Sequence, residues 1–348
     1  MSGASSLKVA YIAGSPRSGS TILASLLGSQ PAAFYAGEVY KLWEEGIRAG
    51  HLCSCGKPLD ECEIWGPLLV QIGGSDQRSL ARFMARQLAL VSRTRYLPLS
   101  LPLTLSVPGR RILADRRRTA LQILERLYLG LAESTGSRFI VDGSKFPLYA
   151  ALLADLPSLE LYIIHMVRDP HAVVFSWKRK LYDPGRRRQF GRHLPLTSSL
   201  MWSSWNAAIE LIVRHQPSLR RRYLRVSYEE FAQQPSLVLA RIAHFLGEGA
   251  RVVGLAGNRA SLPQQHSLSG NPVRFTRGPV EIRSDEDWKQ GLRAVSRGIV
   301  ALTTWPLLAR YGYSTHWRRP PDDRETDPPG DLDGRPQASS LGVRDTRK

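Results

Sequence analysis

Cysteine is scarce in this chain, with Cys53, Cys55 and Cys62 the only three in 348 residues. Together with 43% hydrophobic and 22% charged residues, that scarcity excludes a disulfide-stapled, collagen-like or wholly disordered chain and leaves a soluble globular one. Long apolar runs are missing too. The longest uncharged apolar stretch, Tyr96–Pro108, has 13 residues and three prolines, short of the about 20 needed to cross a bilayer, so no transmembrane helix is expected. The opening MSGASSLKVAYIAG has no basic flank, apolar run and cleavage site in succession, and the expected location is cytoplasmic. Acidic residues are in deficit, 30 against 48 Lys and Arg, for a net +18. An anionic partner is therefore expected. The arginine runs Arg116–Arg118, Arg186–Arg188 and Arg220–Arg222 carry no interleaved aromatics and glycines, which argues against nucleic acid.

What is present is an alternation of strands and helices. LKVAYIA (Leu7–Ala13) is an apolar, strand-forming run ending at Gly14, and a helix follows from Ser18 to Gly28. RFIV (Arg138–Val141) leads through a DGSK loop into a helix from Pro147 to about Leu156. Leu161–Val167 leads through RDP into a helix from Pro170 to about Lys180, which Asp169 can cap. Arg222–Val226 precedes a helix from about Glu229 to Phe245. This order predicts a P-loop-like three-layer α/β/α fold with a central parallel sheet, whose ligands bind at the carboxyl ends of the strands. A long insertion, about residues 40–114, follows the first βα unit as a lid or acceptor region and holds a basic amphipathic helix, Arg78–Arg93. The domain is expected over residues 1–317 and a disordered tail over 318–348, where PP and PPG replace apolar residues.

Gly14-Ser15-Pro16-Arg17-Ser18-Gly19-Ser20-Thr21 has the frame of a phosphate loop, but Ser20 stands where GK[ST] has its lysine. Backbone N–H groups at a helix N-terminus, the Arg17 guanidinium and the hydroxyls of Ser18, Ser20 and Thr21 still suit a phosphate or sulfate. At SPRSGST the sequence resembles the sulfotransferases that use 3′-phosphoadenosine 5′-phosphosulfate (PAPS), whose first motif reads PRSGTT or PKSGTT. VRDPHAVVFS, Val167–Ser176, looks like their second motif, and the resemblance implies that Arg168 and Ser176 bind the 3′-phosphate. VDGSKFP (Val141–Pro147), VSYEEF (Val226–Phe231) and SGNPVRF (Ser269–Phe275) agree with it. By resemblance, Tyr228 contacts the adenine, Gly270 and Asn271 belong to a late glycine-rich loop, and Arg274 reaches the 3′-phosphate. That loop departs from the eukaryotic cytosolic pattern, in which G-x-x-G precedes Trp and Lys.

The implied reaction is in-line transfer of a sulfuryl group to an acceptor hydroxyl, with charge spread over the equatorial oxygens. The acceptor is expected to be a carbohydrate, glycolipid or small metabolite, with peripheral membrane contact only if it is a lipid. Lys145 can stabilise charge on the transferring group or can simply cap a loop. Glu38, soon after the first helix, is the candidate general base, because carbohydrate and protein-tyrosine members of the family carry a base glutamate in a similar stretch; an ion pair with nearby Lys41 is the other reading. His266 is the second candidate base, and His165, inside an apolar strand, reads as a core histidine. The candidate residues include no carboxylate cluster suited to Mg²⁺, and no metal is expected in catalysis. His51, Cys53, Cys55 and Cys62 leave three alternatives: reduced thiols packing a loop, a disulfide, or a zinc site. Two other classes remain, a P-loop kinase or NTPase and a basic module binding nucleic acid or anionic lipid. The sequence leaves the oligomeric state open.

Overall fold

The computed structural model describes residues 6–179, 181–190, 193–249 and 253–313; the tail expected over 318–348 lies outside them. Its centre is a five-stranded parallel sheet of β1 (Leu7–Ala13), β2 (Ala33–Gly37), β3 (Phe139–Lys145), β4 (Leu159–Val167) and β7 (Tyr223–Ser227), in the order β2-β3-β1-β4-β7. The short strands β5 (Leu181–Asp183) and β6 (Arg188–Phe190) form a hairpin, and β8 (Leu255–Ala256), β9 (Arg259–Leu262) and β10 (Gly278–Glu281) form an antiparallel sheet.

Period-two alternation gives the central sheet two buried faces. On β1, Val9, Tyr11 and Ala13 join one hydrophobic cluster, while Ala10 and Ile12 join the cluster on the opposite face. A strand apolar on both sides has no solvent face, so it takes the middle of the sheet with helices over it. The helix α1 (Ser20–Gly28) contributes Leu23, Leu26 and Leu27 to the second cluster. The long stretch that follows β2 supplies α2 (Trp65–Gly73), α3 (Gln77–Ser92), α4 (Leu97–Leu105), α5 (Val107–Asp115) and α6 (Arg118–Thr135). Trp65, Leu88 and Leu124 from these helices are buried in the first cluster. Most of residues 40–114 is thus built into the main core as a helical layer, and only its first turns reach the sheet's carboxyl edge.

After β3 and β4 come α7 (Pro147–Leu153) and α8 (Pro170–Lys178), the latter capped by Asp169, whose side chain accepts from the His171 N–H. Next are α9 (Pro195–His215) and α10 (Pro217–Arg220). The single helix expected over Glu229–Phe245 is two, α11 (Tyr228–Gln233) and α12 (Pro235–Phe245). Pro235 lacks an N–H and disfavours helical backbone at Gln234, which breaks the run there. The helices α13 (Trp288–Gly291) and α14 (Ala294–Arg310) close the described chain. DGSK is likewise not a loop: β3 continues to Lys145 across a register shift against β1. No helix of the described residues is long and apolar enough to cross a membrane.

Candidate active site

The chain leaves central β1 towards β2 on one side and reaches β4 on the other, and such a reversal opens a crevice at the strands' carboxyl ends. A cavity of about 440 Å³ lies there. The turn from β1 into α1 forms its floor. Gly14 has φ +131°, and a Cβ on it would stand 2.2 Å from the Met166 carbonyl oxygen; Gly19 has φ +79°, and a Cβ there would meet the Tyr228 ring at 2.5 Å. Only glycine fits either place. Arg17, Lys145 and Ser269 are non-glycine residues with φ of 73°, 67° and 52°, and this strained backbone gathers around the cavity.

Arg168 follows β4 and is buried. Its Nη1 donates to the Arg17 carbonyl at 3.2 Å, its Nη2 lies 3.2 Å from Asp285 Oδ2, and its guanidinium covers the Tyr228 ring at 4.2 Å. Arg168 Nε and Ser18 Oγ are buried with no hydrogen-bond partner. Arg17 lies over Trp177 at 4.8 Å, and burial, helped by the Arg186 cation, lowers its pKa to about 10.

Glu38 follows β2 and is buried. It pairs with Lys145 Nζ through Oε1 and with Lys41 Nζ at 2.8 Å through Oε2. Burial alone would raise its pKa, but the two lysines outweigh it and hold the carboxyl at about 2. Lys41 is in turn held above its ordinary value, the effect of burial being overcome by Glu38, Tyr40 and Glu45. Lys145 Nζ also donates to the Gly143 carbonyl at 3.0 Å. Below it, Asp142 accepts from the Ser144 N–H at 2.8 Å and from the hydroxyls of Ser144 and Tyr128, and burial raises its pKa to about 6. Asp142 thus braces the turn that aims Lys145.

The cavity wall brings together Pro16, Arg17, Gly19, Ser20, Thr21, Glu38, Lys145, Arg168, Ser176, Tyr228, Gly270 and Asn271, while Ser18 is buried behind the loop. Two expected residues lie elsewhere. His266 does not border the cavity: Nδ1 is 3.3 Å from Cys62 Sγ and Nε2 is 3.0 Å from Glu63, so as a base it would have no path to an acceptor in the cavity. Arg274 is buried on the far side of its 3₁₀ turn and donates to the carbonyls of Leu52 and Ser267 at 3.1 and 3.3 Å, with its guanidinium 3.8 Å from Asp183. It does not line the cavity. His165 is a core histidine as expected, within 2.8 Å of Tyr223 and of Asn206, and burial lowers its pKa to about 4.

Lys41, Arg186, Trp177, Trp205 and Asp285 also line the cavity and were not among the expected site residues. Arg186 belongs to one of the arginine runs, and its pairing with Glu45 at 2.8 Å carries it to the wall. In all, seven cationic side chains face three carboxylates, so the cavity is set for a polyanion.

The model of the sulfotransferase family matches residues 80–250, which hold β3, β4, β7 and the motifs around Lys145, Arg168 and Tyr228. Over residues 80–250 the chain belongs to the sulfotransferase family. As a sulfotransferase it is a transferase, and the match covers the strand end that supplies Arg168. Similar solved structures include the sulfotransferase domain from the curacin biosynthetic pathway, with a TM-score of 0.47 and 16% identity over 89% of this chain and 99% of that one. A second is the sulfotransferase domain of the Synechococcus PCC 7002 olefin synthase, with a TM-score of 0.43 and 20% identity over 90% and 98%. A third, a sulfotransferase from Alicyclobacillus acidocaldarius, has a TM-score of 0.38 and 14% identity over 89% and 97%. No curated protein matches the chain in sequence.

Proposed function

We propose that the sulfotransferase takes its sulfuryl group from PAPS and passes it to an acceptor hydroxyl, with Glu38 as general base. The observation that carries this reading is the meeting, on one cavity, of the phosphate loop, the Arg168–Ser176 pair and the Glu38–Lys145 pair. The donor supplies an activated sulfuryl group on a polyanionic nucleotide. The residues present suit it: two glycines leave the loop amides open, Arg168 Nε and Ser18 Oγ are buried donors without partners, and cations exceed carboxylates.

Each residue then has a distinct task. The backbone N–H groups of residues 17–21 with the side chains of Arg17, Ser20 and Thr21 hold the 5′ side, Arg168 and Ser176 hold the 3′-phosphate, and Tyr228 borders the adenine. Lys145 neutralises charge at the transferring group. Glu38 poses a physical difficulty, because a carboxyl with a pKa of about 2 is a feeble base. An anionic group that draws Lys145 away removes the stronger of the two lysine influences, so Glu38 becomes more basic only when donor is in place. Lys41 stays on its other oxygen and fixes its orientation. The acceptor side is walled by Tyr40, Trp177 and Trp205, and the indole N–H groups of both tryptophans are buried without partners. Aromatic faces with free N–H donors suit the mixed apolar and hydroxylated surface of a carbohydrate, glycolipid or small polyol-like metabolite.

The test is a thermal-shift comparison of 3′-phosphoadenosine 5′-phosphate with ATP, followed by transfer from sulfur-labelled PAPS to an acceptor library. Preferential stabilisation by the 3′-phosphorylated nucleotide and labelled product support the reading; equal stabilisation by ATP with magnesium-dependent hydrolysis would favour the kinase or NTPase class instead.

A further inference from the structure

The cysteines take no part in the chemistry above, yet they are not scattered. Cys53, Cys55, Cys62 and His266 place one ligand atom each within 4.8 Å of one another, although 204 residues separate Cys62 from His266. Cys62 Sγ lies 3.7 Å from Cys53 Sγ and 3.3 Å from His266 Nδ1. A disulfide needs sulfurs about 2.05 Å apart, and the cysteines are free thiols. A tetrahedral ion with bonds of about 2.3 Å to sulfur and about 2.05 Å to nitrogen sets neighbouring sulfurs about 3.8 Å apart and sulfur about 3.5 Å from nitrogen. The Cys62–Cys53 and Cys62–His266 edges, 3.7 and 3.3 Å, fall close to those of such a tetrahedron.

Surrounding contacts agree in kind. His266 Nε2 lies 3.0 Å from a Glu63 carboxylate oxygen. The proton is therefore held at Nε2, and the lone pair of Nδ1 faces the sulfurs, as in carboxylate–histidine–metal triads. Trp65 Nε1 donates to the His266 carbonyl at 2.6 Å. Ser54, between two of the cysteines, donates through Oγ to the Gln265 carbonyl at 2.7 Å and accepts there from the Ser267 N–H at 2.8 Å.

We infer that Cys53, Cys55, Cys62 and His266 form a Cys₃His site for a structural Zn²⁺ ion. Four protein ligands leave no open position, which separates this site from a catalytic one. Its task is to clamp the loop at residues 53–62 onto the segment that leads to the cavity. Two residues beyond His266, the Leu268 N–H donates to the Ala36 carbonyl at 2.9 Å and the Leu268 carbonyl accepts from the Glu38 N–H at 2.7 Å. Gly270 then lies against Glu38 and lines the cavity. The ion fixes this strap without touching the reacting atoms.

The experiment is metal analysis of the full-length protein produced with zinc, together with replacement of the ion by Co²⁺. We expect about one zinc per chain, thiols that resist alkylation until a chelator is added, and for the cobalt form a thiolate charge-transfer band in the near ultraviolet with strong visible bands of a tetrahedral ion. Cys55→Ser, at the half-buried ligand, should lose tight zinc binding. Zinc-incubated wild-type protein that stays metal-free with three reactive thiols, or that carries a Cys53–Cys62 disulfide by mass spectrometry, overturns the assignment, as does a Cys55→Ser protein holding zinc as tightly as wild type. Should Cys55→Ser fail to fold, the cobalt spectrum of the wild type decides alone.

Discussion

Replacing Arg168 with alanine should separate two nucleotides that differ only at one phosphate. The guanidinium is buried, 3.2 Å from Asp285 Oδ2 and 4.2 Å above the Tyr228 ring, and its Nε has no partner. Truncating one member of a desolvated charge pair costs about 2 to 5 kcal/mol, which at about 1.4 kcal/mol per decade weakens 3′-phosphoadenosine 5′-phosphate by about 30- to 4,000-fold. The upper half of that range is expected, because Asp285 is left without its cation and repels the incoming phosphate. Adenosine 5′-monophosphate, which lacks only the 3′-phosphate, should bind almost as it does to the wild type. Calorimetric titration of both ligands against both proteins measures the difference. Equal losses for the two would mean that Arg168 shapes the cavity without reading the 3′-phosphate, and unchanged affinities would remove it from the donor site. Asp285→Asn supplies the opposite arm: it removes the competing carboxylate and should tighten the 3′-phosphorylated ligand by about 1 kcal/mol, roughly fivefold.

Three further outcomes follow from the same cavity. Glu38→Gln keeps the shape of the side chain but cannot take a proton, so single-turnover sulfuryl transfer should fall by about 10² to 10⁴ while nucleotide affinity persists; normal turnover would exclude Glu38 as the base. The same variant tests linkage. The Glu38 carboxyl is held at about 2 in the folded chain against an ordinary 4.5, so its contribution is fully present above pH 4.5 and is lost as pH falls towards 2. Denaturant titrations should show the wild type losing about 3 kcal/mol more than Glu38→Gln across that window, and parallel curves would refute the ion-paired assignment. Gly19→Ala puts a Cβ into the Tyr228 ring at φ +79°, and we expect a lower thermal midpoint and weakened nucleotide binding together; binding at wild-type strength would show that Tyr228 can yield without cost.

How far the fold could be read from the sequence depended on what each segment carries locally. Leu7–Ala13 and Leu159–Val167 are long apolar runs ending at a phosphate loop and at Arg168, so both the strands and the site at their ends were legible. The edge strand Ala33–Gly37, AFYAG, is short and lacks a β-branched residue, and only its pairing with β3 makes it a strand. Asp142 and Lys145 were read as parts of a loop because Gly143 and Ser144 carry the usual turn signal, but Tyr128 on α6, packed beneath the sheet, bonds to Asp142 and holds β3 extended to Lys145. The site shows the same division. Glu38 and Lys145 are 107 positions apart and still meet, as a family resemblance can suggest and local pattern cannot.

Arg274 shows where motif reasoning stops. The Gly270–Arg274 motif locates a turn at the cavity rim, and Gly270 and Asn271 do line it. Which side of a 3₁₀ turn faces the ligand is decided by what waits on the other side. Here the Leu52 and Ser267 carbonyls accept from Arg274 and the buried Asp183 carboxylate lies 3.8 Å from its guanidinium, all inside the protein. Those partners belong to three separate segments, and one of them, Leu52, is next to the cysteine loop. Had Arg274 faced the cavity, the buried Asp183 carboxylate would have kept Arg186, 3.2 Å away, and lost the second of its two cations. The interior therefore holds this arginine, and on the proposed reading the 3′-phosphate is left to Arg168 and Ser176.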